Sequence, residues 1–149
     1  MKNLLVIDDE ELLLNNMKIM LSSYASSIFT AKNGKEGLSV LDAQEIHCVI
    51  CDITMPVMNG VEFIKEVRAR NNEVPIIFYS AYGSHSMMME VSKYGAFDFL
   101  RKPDFEDLEN VVTRGLAEGF NRRHGKERVP GDFISEYQEL LEKIKNHKE

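Results

Sequence analysis

Five residues of this chain have the types and placement to do chemistry together. Asp8 and Asp9 follow the apolar run LLVI, Asp52 follows CVIC, Ser80 closes VPIIFYS, and Lys102 follows FDFLR. A competing signal touches the same place, because Cys48 and Cys51 form a C-x-x-C directly before Asp52. Such a pair reads as redox chemistry or as half of a metal site, whereas an acid at the end of an apolar run reads as a carboxylate nucleophile.

Three carboxylates brought to one place repel, and at least one acquires a raised pKa unless a cation intervenes. Oxygen ligands suit a hard divalent cation, Mg²⁺ above all, which keeps several waters and shares its shell with phosphoryl groups. Lys102 supplies a positive point charge and Ser80 a hydroxyl donor, both suited to phosphoryl oxygens. A carboxylate nucleophile can itself become an acyl phosphate, so the set reads as in-line phosphoryl transfer to Asp52. Each residue alone has an ordinary reading: a solvated strand end, an acid at a helix start, a surface lysine before a proline. The cysteines lie inside an apolar strand rather than at a helix start. Positions three apart on a strand point to opposite faces, so the two sulfurs diverge and are read as core.

The elements that must position these residues are legible as an alternation. Strands are expected at Leu4–Ile7, Ser27–Ala31, Cys48–Cys51, Val74–Ser80 and Phe97–Leu100, each followed by a helical pattern. The first helix carries Leu13, Met17, Met20, Leu21 and Tyr24 at helical spacing. The third carries Val61, Ile64 and Val67, and the fifth carries Leu108, Val111, Val112 and Leu116. Gly95 can close the fourth helix, where Met87–Met89 read as core or adaptable surface. Five strand–helix units in strict alternation imply an α/β fold with a doubly wound parallel sheet. The non-alternating apolar strands agree, since parallel strands are buried on both faces.

Composition narrows the class. The chain has 149 residues, 44% hydrophobic and 28% charged, which is ordinary for a globular domain. The acidic start suits neither a signal peptide nor a membrane span, and two cysteines suit a reducing compartment, so a cytoplasmic protein without membrane association is expected. The net charge of −6 rests on the first 120 residues, which argues against a nucleic-acid grip there. His47, His85, His124 and His147 are scattered along the chain without metal-ligand spacing and are read as structural or exposed.

Four motifs in order now carry a resemblance: VIDDE (Asp8, Asp9), CDITMPVMNG (Asp52, Met55, Pro56, Gly60), YSA (Ser80, Ala81) and GAFDFLRKP (Gly95, Ala96, Phe99, Lys102, Pro103). In these the chain resembles the receiver domains of two-component response regulators, over roughly residues 2–121. The resemblance implies a flavodoxin-like (βα)5 fold with strand order 2-1-3-4-5. It implies that Asp52 takes a phosphoryl group from a sensor histidine kinase or phosphotransfer protein. The metal ligands it implies for Mg²⁺ are Asp8, Asp9, Asp52 and the backbone carbonyl of Thr54. Lys102 would pair with the phosphoryl oxygens and Ser80 would move to bond them. Phe99 would follow inward, switching the surface of the fourth helix, fifth strand and fifth helix. Ser80 stands where threonine is commoner, and Phe99 where tyrosine is frequent. Thr54 and Tyr82 flank the site and should influence how long the phosphoryl group survives. Such a protein is a phosphoacceptor rather than an enzyme, apart from phosphorylating and dephosphorylating itself.

Two other readings are weighed. Aspartate-dependent phosphatases carry a second acid two residues after the nucleophile, where this chain has Thr54, so that class is set aside. A phosphorylation-independent receiver-like adaptor, binding partners through its C-terminal helix, would have no use for the acids and Lys102. The expected boundaries are a receiver over 1–121 and a linker with an amphipathic C-terminal helix over 122–149. In that helix Ile134, Tyr137, Leu141 and Ile144 make a short apolar seam. The expectation is a stand-alone receiver acting on an unidentified output partner, with a piece of a longer chain as the other reading. The switch surface or the C-terminal helix is the expected seat of any homodimer.

Overall fold

A computed structural model describes residues 2–124 and 142–143. Five strands alternate with five helices: β1 Asn3–Ile7, α1 Glu11–Met20, β2 Ser27–Ala31, α2 Gly34–Ala43, β3 Cys48–Cys51, α3 Gly60–Ala69, β4 Ile76–Ser80, α4 His85–Lys93, β5 Asp98–Arg101 and α5 Phe105–Arg123. The strands form one sheet, ordered β2-β1-β3-β4-β5, in which every neighbouring pair is parallel. This is the flavodoxin-like arrangement expected from the sequence. Of the C-terminal helical extension, Glu142 and Lys143 are described and are helical; its apolar seam lies outside the described residues.

Burial explains the apolar strands. One core layer packs Leu38 of α2, Val61, Phe63, Ile64 and Val67 of α3 and Val91 of α4 on one face of the sheet. The other packs Leu14, Met17 and the adjacent Leu21 from the α1 side with Leu108, Val111, Val112 and Leu116 of α5. Each fully buried aliphatic side chain contributes about 1.5–3 kcal/mol relative to exposure. The α1 stripe differs from its expected form. Leu14 is buried, Leu13 and Met20 are only half-buried, and Tyr24 lies past the helix, where its hydroxyl donates to Glu109 at 3.1 Å. The helix presents a narrower face than the apolar count suggests. Met87 and Met88 are half-buried and Met89 is exposed.

Helix starts follow local chemistry. Asn59 and Glu62 form a capping box at α3, and the side chains of Asn33, Ser84 and Asp104 cap α2, α4 and α5. Gly95, at φ 72, turns the chain out of α4 in the conformation glycine adopts freely. Helix α5 runs through Arg123, into the polar stretch read as the start of the linker. Arg122 there donates to Glu118 and to the Glu73 carbonyl, and Arg123 donates to Glu45 at 2.9 Å, so charged residues continue the helix by binding the domain.

At this edge of the sheet the buried ring of His47 links two strands. Its Nδ1 accepts the Asn3 N–H at 2.9 Å, so the proton of the neutral ring sits on Nε2. Protonation would set a second donor against Asn3. Burial foremost, opposed by the charge of Glu45 and reinforced by Arg123, pushes the His47 pKa below its ordinary 6.5. Between the two values the folded state binds fewer protons than the unfolded one, so stability falls as pH drops through about 6.5 and levels off below the folded value. His47→Asn keeps an acceptor and removes the titration. Acidifying from pH 7 to 5 should lower the urea midpoint of the native protein more than that of His47→Asn. A constant gap between the two curves would contradict this account.

Candidate phosphoacceptor site

Sheet register assembles the site. Ile7 of β1 pairs with Cys51 of β3, so Asp8 and Asp52 leave adjacent strands at one level. Their amides donate to Ala31 O and Ile7 O, each at 3.0 Å, which fixes both backbones before either side chain is placed. Ser80 of β4 pairs with Arg101 of β5, and the next residue, Lys102, donates its amide to Ser80 O at 3.1 Å. The chain order therefore brings Asp8, Asp9, Asp52, Ser80 and Lys102 to the carboxyl edge of β1, β3, β4 and β5. Ligands gather at this edge in open parallel sheets, at the point where strand order reverses.

Side-chain geometry is tight. Lys102 Nζ donates to Asp8 Oδ2 at 2.7 Å and lies 3.3 Å from Asp52 Oδ2. Ser80 Oγ lies 2.6 Å from Asp52 Oδ1 and 2.9 Å from the carbonyl of Tyr82, two acceptors for one hydroxyl proton. Asp8 Oδ1 accepts the Glu10 N–H at 2.9 Å. Asp8, Asp52 and Ser80 are buried, while Asp9 and Thr54 are exposed. The Thr54 amide faces Asp52 Oδ1 at 3.4 Å. Phe99 is half-buried, its ring stacked on Phe78 with centroids 6.3 Å apart.

Burial drives the electrostatics. It raises the Asp8 pKa above the ordinary carboxylate value, against the bonds from Lys102 and the Glu10 amide, and the Asp52 charge adds to the rise. Burial disfavours the Lys102 charge, yet its bond to Asp8 and the charges of Asp8 and Asp52 outweigh that and hold its pKa above the ordinary lysine value. Carboxylate oxygens of Asp8, Asp9 and Asp52 come within 4.8 Å of one another. An all-oxygen, doubly buried set already drawing an ammonium group fits a hard divalent cation.

A second cluster, Glu45, His47 and His124, forms at the opposite edge, where sequence spacing placed no such group. The fold brings β3's entry and α5's end together there. The His47 ring nitrogen facing Glu45 carries the ring's proton, and Arg123 already binds Glu45. A metal-binding imidazole keeps its proton on the other nitrogen, so this cluster is read as structural. The sequence reading also missed two backbone groups that hold the site, the Glu10 amide and the Tyr82 carbonyl, since main-chain donors and acceptors leave no residue-type signal.

The cysteines separate as their strand positions require. Cys48 joins the layer under α1 and α5, Cys51 the layer under α2–α4, and both thiols are free and buried. Burial pushes the Cys48 thiol to about 12, and burial, with the charges of Asp52 and Asp8, pushes Cys51 well above the ordinary value. Neither is a poised nucleophile. A thiol-alkylating reagent should leave both unmodified in the native protein and label both in guanidinium. Native-state labelling at the rate of an exposed thiol would restore the redox reading.

Comparison with known proteins agrees with the geometry. A family model described as response regulator receiver domain matches residues 4–113. The transcriptional regulatory protein ZraR of Escherichia coli K12 is 31% identical over 116 residues, covering 77% of this chain and 26% of that protein. GlrR of the same organism is 34% identical over 117 residues, covering 78% and 26%. The match thus spans about a quarter of these relatives' length. Among solved structures, a CheY-like receiver domain protein from Methanospirillum hungatei JF-1 superposes with a TM-score of 0.76 at 23% identity, covering 82% of this chain and 98% of that one; the likeness is one of fold. The chemotaxis protein CheY4 of Vibrio cholerae gives 0.71 at 29% identity, covering 78% and 99%.

Proposed function

The chain belongs to the response regulator receiver domain family, and we propose that within it Asp52 is the phosphoacceptor, fed by a histidine kinase or a phosphotransfer protein. The observation that carries this reading is the pairing at Asp52. One carboxylate oxygen faces Ser80 Oγ at 2.6 Å and the other faces Lys102 Nζ at 3.3 Å, so a protein donor already flanks each oxygen of the carboxylate that would attack.

A carboxylate oxygen of Asp52 attacks phosphorus in line with the donor's P–N bond. The O–P bond forms as the P–N bond breaks, and the electron pair leaves with the imidazole, which takes up a proton. Lys102 offsets charge on the phosphoryl oxygens, and its bond to Asp8 keeps it aimed there. Asp8, Asp9, Asp52 and the Thr54 carbonyl would hold Mg²⁺, which supplies further neutralisation of phosphoryl charge. Ser80 turns its hydroxyl from Asp52 to a phosphoryl oxygen, and that turn holds the Phe99 ring, already packed on Phe78, in its inward setting. The α4-β5-α5 surface then differs between the two states, and an output partner reads the difference. Thr54 and Tyr82, both exposed at the rim, control water access and so the lifetime of the acyl phosphate.

The chemistry is self-catalysed transfer and hydrolysis, without turnover of a separate substrate. Two buried acids and a half-buried lysine burden a fold that only docks, which disfavours a phosphorylation-independent adaptor. Among the described residues no helix is long and apolar enough to cross a membrane, and we assign the protein to the cytoplasm with other response regulators.

The test mixes the protein with Mg²⁺ and a small acyl phosphate and follows intact mass. One phosphoryl adduct is expected on the native protein and none on Asp52→Asn. An adduct of equal yield on Asp52→Asn would move the acceptor elsewhere, and no adduct on the native protein would sink the reading.

A further inference from the structure

The loop that joins Ser80 to α4 is folded onto Phe99. At its start the Tyr82 carbonyl lies 2.9 Å from Ser80 Oγ; at its end the Ser84 side chain accepts the Met87 amide at 3.2 Å and caps α4. Between these anchors sits Gly83. A Cβ built on Gly83 would stand 2.6 Å from Phe99 Cζ and 3.3 and 3.5 Å from its two Cε atoms. Beneath, the same ring stacks on Phe78 at an interplanar angle of 28°. Phe99 is thus held between a bare backbone above and an aromatic ring below. Among the described glycines Gly95 has a left-handed backbone and Gly83 does not, so Gly83 adopts a conformation open to other residues. The space it leaves serves the ring.

We propose that Gly83 is the positioning residue that admits Phe99 to its inward setting while the Tyr82 carbonyl stays on Ser80. The inference rests on the reading of Asp52 as phosphoacceptor with Ser80 and Phe99 following it. With a methyl group at position 83 something must yield. The loop is anchored at both ends, whereas the half-buried ring can turn about χ1 toward solvent. The ring therefore leaves, and its inward state becomes the minor one. A ligand that requires that state then binds with an apparent affinity reduced by the fraction remaining. Gly83 acts through Phe99 and touches no reacting atom.

The test is a double-mutant cycle on the full chain: native protein, Gly83→Ala, Phe99→Ala and the double variant. The probe is beryllofluoride with Mg²⁺, a stable mimic of the phosphoryl group, titrated by calorimetry. In the Phe99 background Gly83→Ala should weaken binding at least about fivefold, a modest coupling. In the Phe99→Ala background it should change nothing. NMR of the free proteins supplies a second readout: contacts from the Phe99 ring to Gly83 and Phe78 should be present in the native protein and lost in Gly83→Ala. An unchanged affinity in Gly83→Ala, or an equal loss in both backgrounds, overturns the proposal, as does a ring that keeps its contacts. If the native protein fails to bind beryllofluoride, the phosphoacceptor reading fails instead, and the ring contacts still decide whether Gly83 sets Phe99.

Discussion

Two carboxylates are buried side by side at the ends of adjacent strands, and a single ammonium group holds them there. Lys102, at the end of β5, reaches Asp52 two strands away at 3.3 Å and Asp8 three strands away at 2.7 Å. Without a cation the pair would repel in a poorly solvated pocket, and burial already pushes Asp8 toward its neutral form. The site therefore carries net negative charge. Three acids surround one lysine, and the remaining negative charge makes the pocket receptive to a hard cation and, through it, to a phosphoryl group.

The sheet exists in this form to keep that arrangement rigid. Asp52 is reached through β3, buried on both faces, whose cysteines serve as small core side chains, one in each layer. Pairing of Ile7 with Cys51, extended by the amide bonds of Asp8 and Asp52, fixes the two acids at the very ends of their strands. The groups proposed to move lie on the far side, where Ser80, the Tyr82–Gly83 backbone and Phe99 meet. A rigid acid edge beside a movable hydroxyl and aromatic is an economical way to couple one bond formed at Asp52 to the shape of α4, β5 and α5.

Much of this was legible in the sequence because parallel strands are plain apolar runs, and the polar residue that ends each run lies at the carboxyl edge once the strands are parallel. That places Asp8, Asp52, Ser80 and Lys102 on one edge, and the strand order implied by the family resemblance makes them neighbours there. The α1 stripe was misjudged because Leu12, Leu13 and Leu14 offer three contiguous apolar residues, and only packing on the sheet selects Leu14, leaving Leu12 exposed. The Glu45–His47–His124 cluster was invisible because His124 is brought to His47 by the length of α5. Gly83 gave no signal because its role is to be absent from the space of a ring 16 residues further on.

The claim at the centre is that Lys102, bridging Asp8 and Asp52, is what makes Asp52 a competent acceptor. The direct measurement is the rate of acyl-phosphate transfer to the native protein and to Lys102→Met, with Mg²⁺ saturating in both and folding verified by circular dichroism. Loss of one preorganised charge aimed at the transferring group should slow the reaction by about 10²-fold. A Lys102→Met protein that is folded and takes the phosphoryl group at the native rate would contradict the account.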